Sequence, residues 1–421
     1  MPRWTSLLAV TTPLLFPSVA PAQSASVVIT PGIGHDRFTE TFFLDDSTSV
    51  SLDSLERIKK TQSDLQESYA SLGLGLESKR WRLDNTVYAT NKVWRNIANG
   101  HGRWSAGKWK TDLNGRVEWK SQSRGDTSAA AFTYARIDVI PRWRWNEQWS
   151  LLLAGDWELT DYLRNTSYTY DYNRVRLQTG VEYFGDRLEN LEARIGLARR
   201  TVSDSSQLGY TEDFLRLEAS GWQFGRWRLE SGFSFAVRDF KAPDNADDYS
   251  RWATSTNIGY DWSPRWRVTL QAAWQYWDYR QPDEFSFNVH DIRTEGAVRF
   301  NFDDVWEIGA AIELRAERAV QDSLAVNDYD QWALGPRLVW NSGSAFWSEI
   351  APRAGYRNYA TVSIVYDDYS FWEIMWQADL LGPLGTTVSA TITYLSERHA
   401  DRTRDSAYLY ISAALRFPIH L

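Results

Sequence analysis

Six tryptophans of this chain share a common interval. Trp109, Trp149, Trp227, Trp266, Trp306 and Trp347 stand roughly 40 residues apart, with one step of twice that length. Each follows a short polar or glycine-containing turn, such as Ala106-Gly107-Lys108, Ser263-Pro264 or Ser342-Gly343-Ser344. After each tryptophan, apolar and polar residues alternate over a long run. In 227–238, Trp227, Leu229, Phe233, Phe235 and Val237 share one face, while Arg228, Glu230, Ser234 and Arg238 take the other. In 306–317, Trp306, Ile308, Ile312 and Leu314 oppose Glu307, Glu313, Arg315 and Glu317. Alternation of period two sustained this far is the pattern of a β-strand and is incompatible with an amphipathic helix.

A repeat of this length suits a propeller blade or a long β-hairpin. A blade must fit four short strands into the interval, whereas here it holds two long ones. Strands of roughly 10 residues, tilted near 45°, match the apolar layer of a bilayer. Lipid offers the backbone no hydrogen-bond partner, so such strands must close on themselves. The expected fold is therefore all-β, a closed antiparallel transmembrane β-barrel. Strand starts near 81, 109, 149, 190, 227, 266, 306, 347 and 386, each with a returning partner, make about 18 strands. A further hairpin, from Ser26–Leu44 back through Glu67–Glu77, would make about 20.

Connections alternate in length. The short turns form one end, read as periplasmic, and longer Asp-rich links form the other: Lys241–Ser250, Gln281–Phe287, Gln321–Asp328 and Arg398–Asp405. The six phased tryptophans are then expected at the periplasmic membrane interface, where an amphipathic ring is favoured. Tyr162, Tyr168, Tyr170, Tyr210, Trp277, Tyr279, Tyr329 and Trp332 are expected to form the outer girdle.

No Gly/Ser- or Pro-rich linker divides the 421 residues, so one architecture is expected after a leader. Residues 1–22 read as a signal peptide: Arg3, an apolar core over Leu7–Phe16, then Ala20-Pro21-Ala22. Residues 23–66 read as an N-terminal segment and 67–421 as the barrel. Within that segment, Leu52, Leu55, Ile58 and Leu65 fall at helical spacing, which predicts a short helix over 45–66, in a surface loop or folded inward as a plug. The absence of cysteine excludes disulfides and thiolate metal sites, and a net charge of −8 argues against nucleic acid as partner. Arginine outnumbers lysine 38 to 8, which favours bidentate pairing with carboxylates and stacking on rings.

Taken together, the chain resembles a Gram-negative outer-membrane β-barrel of the porin-like kind. Its last strand supports the likeness, because Leu409, Ile411, Ala413, Leu415, Phe417, Ile419 and Leu421 alternate to the terminus. That run is similar to the C-terminal signal of the barrel-assembly machinery, but it ends on leucine and contains Pro418. The resemblance implies an outer-membrane location, with lipid and lipopolysaccharide as surroundings and a small hydrophilic solute as cargo.

Chemistry is expected on the face turned from lipid. Arg194, Arg216, Glu218, Arg228, Glu230, Arg293, Glu295, Glu313, Arg315 and Glu317 are expected to line the lumen, with Arg and Glu pairing along and across strands. The histidines His35, His101, His290, His399 and His420 show no recognisable catalytic spacing, and the acidic pairs Asp247-Asp248 and Asp367-Asp368 read as solvated loop charge. No enzymatic role, cofactor or metal is expected. The function read from these features is passive or substrate-selective passage of small hydrophilic solutes, anionic ones included. A non-conducting structural or adhesion barrel is the alternative, and an outer-membrane enzyme comes third.

Overall fold

The structure, a computed structural model, describes residues 24–43, 57–90, 93–122, 131–163, 171–186, 189–203, 208–241, 248–282, 287–321, 328–343, 345–361, 367–399 and 404–420. For 24–25, 33–43, 57–69, 122 and 420 only the backbone is described. The leader region, Tyr168, Tyr170 and Leu421 lie outside the described residues.

Twenty strands follow one another in chain order. They begin with β1 (Ser24–Phe43), β2 (Arg57–Glu77), β3 (Trp81–Thr90), β4 (Val93–Ala106) and β5 (Trp109–Gln122). Next come β6 (Phe132–Arg144), β7 (Trp149–Tyr162), β8 (Tyr172–Phe184), β9 (Asn190–Val202) and β10 (Tyr210–Phe224). The second half holds β11 (Trp227–Phe240), β12 (Tyr249–Asp261), β13 (Trp266–Tyr279), β14 (Val289–Asn301) and β15 (Trp306–Ala319). The chain ends with β16 (Tyr329–Asn341), β17 (Phe346–Tyr359), β18 (Tyr369–Leu381), β19 (Thr387–His399) and β20 (Ser406–His420). Each strand pairs antiparallel with its sequence neighbours, and β1 also pairs with β20, which closes the barrel.

The expected N-terminal segment belongs to this wall. Residues 57–66, read from sequence as part of a helix, are strand, paired from Phe43↔Arg57 to His35↔Gln66. The first described strand begins at Ser24, and the returning strand of the hairpin runs longer than expected. A short isolated helix is marginal, whereas a strand beside an existing ladder gains backbone hydrogen bonds residue by residue. Leu52 and Leu55 lie outside the described residues.

Register carries the alternation from strand to strand. One row runs Trp266↔Phe300, Phe300↔Ile308, Ile308↔Leu338 and Leu338↔Ile350, then on through Trp376 and Ile392 to Ile411. Leu177, Leu197, Ile308 and Leu314 on this face are about half exposed in the isolated chain, as residues meant for lipid must be. The opposite face carries the charges. There, Arg142 of β6 reaches Glu182 of β8, and Arg353 of β17 reaches Glu313 of β15, each past an intervening strand. Side chains converge that way only on the concave side of a curved wall, so the charged face is the inner one.

Polar side chains close both ends. Ahead of three phased tryptophans a side-chain oxygen folds the turn: Asn146 Oδ1 accepts from the Trp149 amide at 2.7 Å, Asp303 Oδ1 from Trp306 at 2.7 Å, and Ser263 Oγ from Trp266 at 3.1 Å. Gly107, Gly225 and Gly343 supply left-handed backbone at others. At the long-loop end, the residue before a returning strand caps the outgoing one. Asp171, Asp248, Asn288, Asp328 and Asp368 accept from the amides of Tyr162, Phe240, Tyr279, Ala319 and Tyr359 at 2.6–2.7 Å. Asp248, as a cap, and Asp367, held by His399 at 2.6 Å and Arg404 at 3.3 Å, are buried and not the solvated loop charges expected, while Asp247 lies outside the described residues.

Candidate functional site

All ten charged residues singled out from sequence lie on the inner face, where arginine and carboxylate pair both along and across strands. Directly opposite residues carry opposite signs and pair at Arg103↔Asp112, Glu158↔Arg174, Glu212↔Arg238 and Arg353↔Glu373, but the same sign at Arg194↔Arg216, Arg293↔Arg315, Glu295↔Glu313 and Glu182↔Glu192. Like charges in that position repel. The compensation comes from two residues along the strand, as in Arg216 with Glu218 and Arg194 with Glu192, or from the diagonal, as in Arg293 to Glu313 at 3.2 Å and Arg315 to Asp291 at 3.2 Å. Arginine and carboxylate thus alternate along these strands, and a row that is acidic at Glu182, Glu192 and Glu218 turns basic at Arg293 and Arg315.

Several groups hold two partners. Arg142 bridges Asp112 (2.5 Å) and Glu182 (2.9 Å), and Arg337 bridges Glu307 (2.6 Å) and Glu349 (2.8 Å). Glu118 receives both Arg95 (2.7 Å) and Arg116 (2.6 Å). The acids lie beneath the arginines: the Glu182 and Glu118 side chains are 3% and 4% exposed, against 23% for Arg142 and 42% for Arg95. At these pairs the inner surface therefore presents guanidinium over carboxylate. His101, placed on the same face, bonds Asn114 Oδ1 at 2.8 Å.

Five of the six phased tryptophans, Trp109, Trp149, Trp227, Trp266 and Trp306, lie on the outer face at the short-turn end. Four of them stack on a ring of the next strand: Trp149 on Tyr183 (5.0 Å), Trp227 on Tyr260 (4.5 Å), Trp266 on Phe300 (4.6 Å) and Trp306 on Trp340 (5.3 Å). Trp347 departs from the expected position. It pairs with Asn341 and Asp379, on the face of Glu349 and Arg353, while Phe346 takes the interface site against Trp340 at 4.8 Å. The turn before β17 is as long as those before β7, β13 and β15, so Phe346 opens the strand and the tryptophan, one place on, takes the other parity.

The outer girdle is corrected more widely. Of the described aromatics proposed for it, only Trp332 is on the apolar face. Tyr162, Tyr210, Trp277, Tyr279 and Tyr329 share the face of the charges. With Tyr172, Tyr249 and Tyr369 they form an inner belt near the long-loop mouth, and arginines stack within it. Arg238 lies over Tyr210 (4.2 Å) and Tyr249 (5.1 Å), Arg251 over Trp277 (5.2 Å), and Arg357 over Tyr329 (4.2 Å) and Tyr369 (5.2 Å). Arg357 is held by neutral groups, Gln331 Oε1 at 2.6 Å and the Tyr359 hydroxyl at 3.3 Å. The signal that could have revealed this belt is an Asp-Tyr dipeptide at 171–172, 248–249, 328–329 and 368–369, which keeps the tryptophan interval. Its Asp caps the loop, and its Tyr shares the parity of the charges.

A closed antiparallel barrel with an apolar outer wall and a charged inner wall defines an outer-membrane β-barrel of porin-like architecture. No protein-family model matches the chain, and no curated protein matches it in sequence. Among solved structures it is similar to the siderophore receptor PirA from Pseudomonas aeruginosa, with a TM-score of 0.54 and 11% identity over 95% of this chain and 81% of that one. OprD from the same organism matches at 0.52 and 10% identity, over 96% and 97% of the two chains. OpdF, solved in complex with glucuronate, matches at 0.50 and 10% identity, over 96% and 100%. The likeness at these identities is one of fold.

Proposed function

We propose that this protein is a channel of the bacterial outer membrane that passes small hydrophilic solutes and favours anions. It would be exported by a signal peptide at residues 1–22 and inserted by the barrel-assembly machinery among lipid and lipopolysaccharide. The observation that carries this reading is the arginine–aromatic belt inside the long-loop mouth. Arg251 and Arg357 rest there on rings and neutral acceptors, so their charge is less cancelled than that of the arginines below. A guanidinium with a ring beside it suits a carboxylate on an apolar or hydroxylated frame. The glucuronate held by OpdF, a barrel of the same fold, is a solute of that kind. An enzymatic reading finds less support: His290 lies on the lipid face between Trp274 and Tyr276, and His399, though 2.6 Å from Asp367, turns its other nitrogen toward Glu397 at 3.9 Å.

Planar-bilayer recording of refolded protein under a salt gradient tests the channel. Wild type is expected to conduct with a reversal potential on the anion side. The double variant Arg251→Gln/Arg357→Gln should lower the anion-to-cation permeability ratio roughly fivefold, the worth of about 1 kcal/mol of Coulomb energy in a wet site. A barrel that never conducts would sink the channel, and an unchanged ratio would sink the role of the belt.

A further inference from the structure

Neutralisation of the inner wall is uneven. Between β10 and β14 the ion pairs thin out and a recess of about 560 Å³ opens. Its floor is small: Gly232, Ser255 and Ala273 share a row with Glu218 and Arg293. The next row toward the short turns reads Glu230, Asn257, Gln271 and Glu295. A bulge shapes one side. Register slips in β10 between Ala219 and Trp222, where Gly221 takes a φ of 69°, and a bulge of this kind bends the strand locally.

Neighbouring arginines are engaged elsewhere. Arg228 pairs with Asp261 at 2.8 Å, Arg216 with Glu218, and Arg293 with Glu313 at 3.2 Å. Among the described residues, Glu230 has no arginine within ion-pair distance and accepts the Asn257 amide at 3.4 Å. Glu295 stands 3.9 Å from an Arg293 already committed. Two further acceptors, Asn257 Oδ1 and Asn190 Oδ1, are buried at the recess without a hydrogen-bond partner. Acceptors and negative charge are thus in excess, over a floor without bulky side chains.

We infer that this recess binds small organic cations bearing primary ammonium groups. An ammonium brings three N–H donors and one positive charge, which is what Glu230, Glu295 and the two amide oxygens lack. The two glutamates project from strands three places apart, roughly 14 Å along the wall, and their side chains shorten that gap to the reach of a short diamine. The site lies below the arginine belt and has the opposite sign, so the lumen carries two separate selectivities. It rests on the channel reading only for the solute's route inward.

Calorimetric titration of the refolded protein with 1,4-diaminobutane tests it, with block of the bilayer current by the same diamine recorded in parallel. Wild type should bind. The Glu230→Gln/Glu295→Gln variant, checked as folded by its heat-dependent gel mobility, should bind roughly tenfold to a hundredfold more weakly, as expected for lost charge-assisted hydrogen bonds. Equal affinity in wild type and variant, or no binding to a conducting wild type, overturns the site. Carboxylate-dependent binding to a barrel that does not conduct upholds the site and removes the channel.

Discussion

Replacing Arg142 by methionine is expected to destabilise the barrel by about 3–5 kcal/mol, the usual cost of stranding buried charge. The guanidinium neutralises Asp112 on β5 and Glu182 on β8; its removal leaves Asp112 to Arg103 at 3.0 Å but the deeper Glu182 only to Arg194 at 3.7 Å. Glu182 cannot turn to water without displacing its neighbours, since its side chain is 3% exposed. Methionine keeps most of the packing volume, so the loss would report charge and not a cavity. The partner variant Glu182→Gln should cost less, about 1–2 kcal/mol, because Arg142 keeps Asp112 and faces the lumen. Urea unfolding followed by tryptophan fluorescence in lipid vesicles separates the two. No loss with methionine would mean that Arg142 acts only by filling space.

The second large effect concerns the face that meets lipid. Ile312 and Ala311 are adjacent at mid-strand in β15 and point to opposite sides of the wall. Ile312→Arg would place a cation against hydrocarbon and should cost roughly 2–4 kcal/mol. Ala311→Arg would place the same charge inside, two residues along the strand from Glu313, and should lie near neutral. The comparison holds strand, depth and side chain constant, so it reads only which face is outside. A larger loss at 311 than at 312 would reverse the assignment of the two faces in this region.

Much of the wall was legible in the residues. Strand starts read at 81, 109, 149, 190, 227, 266 and 306 are where strands begin, and those at 347 and 386 are off by one. The reason is physical: period two is a local property of a strand, and the turns beside Asn146, Ser263 and Asp303 are built from residues a few places apart. Where the reading erred, it left parity aside. Tyr210 is an even number of residues from Arg216, and Trp347 from Glu349 and Arg353, so both had to face inward with those charges. Their resemblance to interface aromatics came from height along the barrel, which says nothing about side. The hairpin of β1 and β2 was read, but its returning strand starts ten residues earlier than expected, because Ile58 and Leu65 imitated a helix where a ladder to β1 was available.

The amino-acid sequence by itself determined that this chain forms a closed membrane barrel, which end carries the short turns, and which residues of each strand share a face. Each follows from spacing within one strand or one turn. Only the tertiary structure decided which charge meets which. Opposition of Arg to Arg and Glu to Glu depends on register between neighbouring strands whose paired residues lie roughly 20 places apart in the chain, and it changes face or partner with a slip of one. Curvature then brings Arg142 to Glu182 across a strand, and a single bulge in β10 opens the recess beside Glu230. Those contacts sum over the whole ring, so no local window of the sequence contains them.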